Sequence, residues 1–177
     1  MSRRCAPLTA DPPISMSNLF SKILRAMLGL FAAVPVISAA EPSPVPKDFS
    51  ATIGGFLGMS YHLELHGGVL TYTTFNGGPR NTKRANVTPT EMQWREFRQT
   101  LDRLKVWKWR AKYEDVRVRD GTQWSLEITC EDRAIKSHGN NSYPESRNGP
   151  DGMRYRSKAF QSYLDAVQKL IGGKTFQ

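Results

Sequence analysis

Apolar and polar positions alternate with a period of two in several short stretches of this chain, and with a period near 3.6 in two others. The clearest alternation sets Met59, Tyr61, Leu63 and Leu65 against Ser60, His62, Glu64 and His66. Gly67-Gly68 then offers the positive φ of a tight hairpin turn, and Val69 to Phe75 reads as the return strand. A short apolar segment, Phe49 to Phe56, precedes the hairpin and is broken at Gly54-Gly55; Asn76 to Asn81 reads as a loop that Lys83-Arg84 make basic. Thr88-Pro89-Thr90-Glu91 signals a helix start, with Thr88 as N-cap, Pro89 at the first helical position and Glu91 closing a capping box. Trp94, Phe97, Leu101 and Leu104 form its apolar stripe and Arg95, Arg98, Asp102 and Arg103 face away, so the helix is expected to run to about Lys105.

Beyond it, Val106 to Tyr113 alternates again and predicts a strand, with Trp107, Trp109, Ala111 and Tyr113 on one side and Lys108, Arg110 and Lys112 on the other. After an Asp120-Gly121 turn, Trp124, Leu126, Ile128 and Cys130 line one face of a further strand. Glu131-Asp132-Arg133 turns the chain into a short strand around Ala134 to Ser137, followed by a loop from His138 to Pro144 and a polar stretch to Gly152. The last helix starts at about Ser157, with Phe160, Leu164, Val167 and Ile171 inward and Gly172-Gly173 as its stop. Hairpin, helix, strands and helix together predict an α+β fold: an antiparallel sheet with two helices packed on one face.

The run Asp120-Gly121-Thr122-Gln123-Trp124-Ser125-Leu126-Glu127-Ile128, followed by Ile135 to Pro144, resembles a pattern in uncharacterised bacterial exported proteins. In those, a tryptophan-bearing strand, a G-x-N-x-Y-P loop and a terminal helix succeed one another. The resemblance implies the same architecture and no activity.

The N-terminal segment changes the picture of where the domain works. Lys22 and Arg25 precede the apolar run Ala26 to Ile37, and Ser38-Ala39-Ala40 follows; this is the pattern of a secretory signal peptide, residues 1–40, cleaved after Ala40. The apolar stretch Ala26–Ala40 is 15 residues long, short of the roughly 20 that a helix needs to span a bilayer. Met16 offers a more conventional start, which makes residues 1–15 a mis-assigned beginning. Cleavage leaves a proline-rich linker, 41–48, and one domain, 49–177, expected in the periplasm or outside the cell, with no membrane span.

Composition narrows the chemistry. The chain carries 25 basic and 16 acidic residues; residues 1–40 hold four basic and one acidic, leaving 41–177 at +6. A balance of that sign reads first as a solvated, soluble surface and raises the odds of a polyanionic partner; an envelope protein is the other class expected. Cys130 is the one cysteine after residue 40. That excludes an intramolecular disulfide in the domain and gives Cys130 the role of a small buried hydrophobe.

Four features are candidates for chemistry. His62, Glu64 and His66 lie on the polar face of one strand. Same-face neighbours there stand roughly 6.6–7 Å apart and the two histidines about 13 Å apart, so one metal ion could bridge either histidine to Glu64 but not readily all three. The basic-aromatic run contains Arg103, Lys105, Lys108, Arg110, Lys112, Arg117 and Arg119, interleaved with Trp107, Trp109 and Tyr113. Single-strand nucleic-acid binders combine such residues on one face, whereas a strand period here separates aromatics from charges and leaves a cationic stripe fit for an anionic glycan or nucleic acid. Asn140, Asn141 and Tyr143 could offer amides and a phenol to a ligand, or could satisfy the turn and pack the sheet end. Asn86-Val87-Thr88 and Asn140-Asn141-Ser142 match glycosylation sequons, which act only in a eukaryotic secretory pathway. The chain carries no nucleophile elbow and no phosphate-binding glycine loop. The reading is an exported, non-catalytic binding or structural domain without a cofactor. Its alternatives are an electrostatic binder acting through the basic strand and a metal-assisted hydrolase using His62, Glu64 or His66.

Overall fold

The structure is a computed structural model that describes residues 42–55, 58–77, 81–118 and 120–177. The chain divides into two compact units, Met1–Ala40 and Glu41–Gln177, and the described residues belong to the second. The signal peptide, the Met16 start, Cys5 and Arg119 lie outside the described residues.

Seven strands arise in chain order: β1 (Asp48–Gly54), β2 (Met59–His66), β3 (Val69–Asn76), β4 (Lys83–Val87), β5 (Lys112–Glu114), β6 (Gln123–Thr129) and β7 (Ala134–Asn140). Helix α1 (Glu91–Arg103) lies between β4 and β5, and α2 (Lys158–Leu170) closes the domain. The fold is α+β. The strands form one sheet in the order β4-β3-β2-β1-β6-β7-β5. All neighbours run antiparallel except β5 and β7, which are parallel. The antiparallel sheet expected from the sequence thus gains one parallel pair at its edge, where β5 lies on the far side of β7 from β6.

Alternation puts Phe49, Ala51, Ile53, Tyr61, Leu63, Trp124, Leu126 and Ile128 on the inner face, where all are buried. Helix α1 covers the β1 side: Phe49 meets Trp94 and Phe97 edge-on, at ring centroids 5.8 and 5.6 Å apart. Helix α2 covers the β6 side through Phe160, whose ring lies 4.9 Å from Trp124 and 4.8 Å from Tyr143. The Gly67-Gly68 hairpin turn forms as the sequence predicts, both glycines having positive φ (57° and 83°).

Four expectations are corrected. The proline-rich segment is no free linker: Pro46 is buried, Val45 packs on the core, and the Lys47 N–H donates to the Thr129 carbonyl at 2.7 Å. Lys83 to Val87, read as part of a basic loop and its continuation, is an edge strand, a position where charged side chains reach water. His138 to Asn140 continues β7 and is not a loop. Gly139 falls on the inner face of that strand, where a Cβ would collide with the Trp124 indole and the Ser142 carbonyl, so its glycine marks packing, not a turn.

The fourth concerns Val106–Tyr113, which is not a strand. Lys105 takes a left-handed conformation (φ 54°), Val106–Lys108 makes one turn of 3-10 helix, and only Lys112–Glu114 joins the sheet. Trp109 turns inward to Tyr163 (5.6 Å) and Trp124 (6.1 Å), whereas Trp107 lies between the Arg98 and Arg133 guanidinium groups, at 4.8 and 5.5 Å.

The α1 cap is also one step along from the reading above. Thr90, not Thr88, is the N-cap: its hydroxyl accepts from the Gln93 N–H at 3.2 Å, and Gln93 Oε1 accepts from the Thr90 N–H at 2.8 Å. The extended backbone that a cap needs is found at Thr90 (φ −69°, ψ 160°). Thr90→Ala is therefore expected to cost about 1 kcal/mol in urea unfolding, with Thr88→Ala clearly smaller; equal losses would return the cap to Thr88.

Candidate binding surface

Because both helices pack on the inner face, the outer face of the sheet carries no helix among the described residues. Register pairing places one unbroken row across all seven strands: Arg84, Thr73, His62, Thr52, Ser125, His138 and Lys112. Six interstrand steps make the row about 29 Å wide. Its centre is low and polar, with the Thr52 and Ser125 hydroxyls bonded at 2.7 Å. Imidazoles stand on either side of that centre, and a cation closes each end. The next row runs Asn86, Thr71, Glu64, Ser50, Glu127, Lys136.

Glu64, Glu127 and Glu114 on this face are engaged, whereas Asp48, which alternation also turns outward, makes no ion pair among the described residues. Glu64 Oε2 lies 3.5 Å from His62 Nε2 and 3.2 Å from His66 Nε2. Its hydrogen bonds to His66 and then His62 hold its carboxyl below the usual glutamate range. Glu127 pairs with Lys136 at 2.8 Å and Glu114 with Lys112 at 2.7 Å. Arg84 makes no ion pair among the described residues. With Thr71, Thr73, Thr82, Phe75 and the two β2 histidines it lines an open hollow on the β2–β4 side of the face. Among the described residues, no group of three or more His, Cys, Asp and Glu side chains is arranged to hold a metal ion.

The basic residues singled out in the sequence do not converge on one stripe. Lys105 and Lys108 are exposed beside the 3-10 turn. The Arg110 guanidinium lies 4.6 Å over the Tyr113 ring, while the Arg110 backbone is tied down by the Tyr113 and Ser137 hydroxyls. Lys112 belongs to the outer row. Arg117 grips Asp115 with both arms, at 2.7 and 2.6 Å, and donates to the Gly152 carbonyl at 2.5 Å. The expected cationic strand face is thus corrected: the left-handed Lys105 and the 3-10 turn break the alternation that would have lined the charges up.

The loop candidates are structural. Asn141, at φ 47°, exchanges hydrogen bonds with Thr122: its N–H donates to the Thr122 carbonyl at 2.9 Å and its Oδ1 accepts from the Thr122 N–H at 2.8 Å. Asn140 Nδ2 donates to the Val118 carbonyl at 3.5 Å. Tyr143 is only 6% exposed and packs on Phe160, so its phenol is not offered to a ligand. Sequence reasoning missed Arg84, Thr52, Ser125 and the placement of His138. The alternation of Ile135, Ser137 and Gly139 was the signal that would have put His138 on the outer face. Compared with known protein families and with curated proteins, the chain matches no family model and no curated relative.

Away from this face, Asp115 and Cys130 are among the side chains whose titration the fold shifts. Asp115 is buried, and the bonds from Arg117 draw its carboxyl down to about 2, with Arg154 adding to the effect. A carboxyl depressed in the folded state stabilises above its unfolded value of 3.8, and that stability is lost as pH falls through about 2. Asp115→Asn should therefore flatten the decline of unfolding free energy between about pH 4 and pH 2; an unchanged acid limb would show that the pair does not supply it. Cys130 is 5% exposed and burial raises its thiol, against the opposing pull of the Arg98 charge. It should react with a thiol reagent only as fast as the domain unfolds, and prompt labelling of the native protein would contradict its burial.

Proposed function

We propose that this is an exported, non-catalytic binding domain that holds a polar anionic polymer, such as an anionic glycan, across the uncovered face of its sheet. The row from Arg84 to Lys112 carries this reading. It supplies hydroxyls and imidazoles in line over about 29 Å, with Arg84 unpaired among the described residues at one end and Lys112 paired with Glu114 at the other. Side chains projecting from strands of one sheet are held rigidly, which suits recognition of an extended ligand at low cost in ordering. Glu64 supports binding over proton chemistry, since a carboxylate kept ionised by two imidazoles is poorly placed to donate a proton. Export rests on the basic, apolar and small-residue pattern of residues 16–40. No helix among the described residues is long and apolar enough to cross a membrane.

The test is retention of residues 41–177 on an immobilised sulfated polysaccharide over a salt gradient. Counterion release makes retention fall with salt, and each cation removed from the contact should lower the log–log slope by about one. Arg84→Ala with His62→Ala is expected to weaken retention, while Lys105→Ala with Lys108→Ala leaves it close to the parent. Equal retention of the face variant and the parent, or loss confined to the Lys105/Lys108 variant, would refute the sheet-face reading.

A further inference from the structure

A second surface lies away from the sheet face and does not rest on the reading above. Three of the exposed large apolar side chains, Val116 (88%), Met153 (59%) and Tyr155 (57%), occur on two loops that touch. Arg117 joins the loops: it grips Asp115 in its own turn and donates to the Gly152 carbonyl of the other. Val116 and Met153 each neighbour one end of that bond in sequence.

The longer loop is a built structure. Asn148 and Arg154 form a β-bridge, and the Gly149 N–H donates to the Met153 carbonyl at 2.7 Å. The Gly152 N–H donates to the Gly149 carbonyl at 2.9 Å. Asp151 accepts from the Met153 N–H at 2.9 Å and from the Tyr155 hydroxyl. Beyond the turn the chain alternates: the Arg154 side chain reaches inward to the Ser142 hydroxyl at 2.8 Å, while Met153 and Tyr155 are left in water. Tyr155 takes part in holding the loop, its ring over Gly149 and its hydroxyl on Asp151, and still leaves 57% of its surface exposed.

The rim is cationic. Residues 145–158 carry Arg147, Arg154, Arg156 and Lys158 against Glu145 and Asp151, the bonds to Asp151 coming from neutral donors that leave its charge in place. Arg147, Arg156 and Lys158 are exposed and make no ion pair among the described residues. We propose that the Asp115–Val118 turn and the 145–156 loop together dock the domain on an anionic lipid surface, Val116, Met153 and Tyr155 entering the interface while Arg147 and Arg156 meet the headgroups.

Two considerations favour lipid over a protein partner. A protein interface of standard size is assembled from roughly 20–30 residues a side with a matched shape, whereas this patch offers three apolar side chains on two loops. A lipid interface demands neither that many residues nor a matched shape, and it accepts tyrosine with its ring in the acyl boundary and its hydroxyl among headgroups. Juxtaposed arginines add attraction to anionic lipid that weakens with salt.

The experiment is co-sedimentation of residues 41–177, a compact unit with its own core, with vesicles of phosphatidylglycerol and phosphatidylcholine and with vesicles of phosphatidylcholine alone. Binding is expected to the anionic vesicles, to weaken with salt, and to fall at least about tenfold in the Val116→Ser, Met153→Ser, Tyr155→Ser triple variant. Arg147→Ala with Arg156→Ala should reduce binding and its salt dependence; Lys105→Ala with Lys108→Ala, outside both surfaces, should leave it unchanged. Circular dichroism and thermal unfolding verify that each variant is folded. No binding to anionic vesicles, equal binding to both vesicle types, or full binding by the triple variant would overturn the proposal. So would a photo-crosslinker at position 153 that captures a single protein in cells while vesicle binding is absent, which would give the patch to a protein interface.

Discussion

One-sided coverage is the constraint from which the rest of this domain follows. With α1 and α2 on the same face, every sheet-centre strand has to be apolar at alternate residues and polar at the others. In β1 the inward set is Phe49, Ala51 and Ile53 and the outward set Ser50 and Thr52. The inner face is then sealed by aromatic contacts. Phe160 alone meets the rings of Trp109, Trp124, Tyr143 and Tyr163, and geometry of this kind adds to plain area burial. Because the apolar demand is met entirely on that side, the outer side is free to be chosen by something other than stability. It has been filled with hydroxyls, imidazoles and paired charges.

Legibility in the sequence tracks how far local chemistry decides the local structure. The β2–β3 hairpin is readable because its alternation and its two turn glycines agree, and α2 because its apolar stripe, its Ser157 cap and its Gly172-Gly173 stop agree. Elsewhere two local signals compete. Thr88 and Thr90 both suit a cap, and the return bond from Gln93 chooses the second. Trp-Lys-Trp-Arg reads equally as a strand and as a turn that sends its tryptophans in different directions. Tertiary partners decide for the turn, Arg98 and Arg133 for Trp107 and Tyr163 for Trp109.

The candidate surface was less legible than the fold, for a physical reason. Each member of the row Arg84, Thr73, His62, Thr52, Ser125, His138, Lys112 comes from a different strand. Only register places them together, and no spacing along the chain encodes it. The sequence could show that His62 faces away from the core. It could not show that Thr52 and Ser125 lie between it and His138. The basic run was legible as composition and misleading as geometry, since its described charges are spread over the end of α1, the 3-10 turn, the sheet edge and the Asp115 clasp.

The pairing of β1 with β6 also bears on when the fold can form. Seven residue pairs join Asp48–Gly54 to Gln123–Thr129, so the middle of the sheet is completed by a segment some seventy residues further along. Contacts of that separation slow folding, because the loop between them has to be closed before they return anything. Until β6 arrives, β1 lacks its second partner and leaves an edge open to pairing with any other extended chain. For a polypeptide threaded across a membrane before it folds, as proposed for this one, that delay works in its favour. The strand that locks the sheet is among the later segments to emerge, and the chain stays threadable until then.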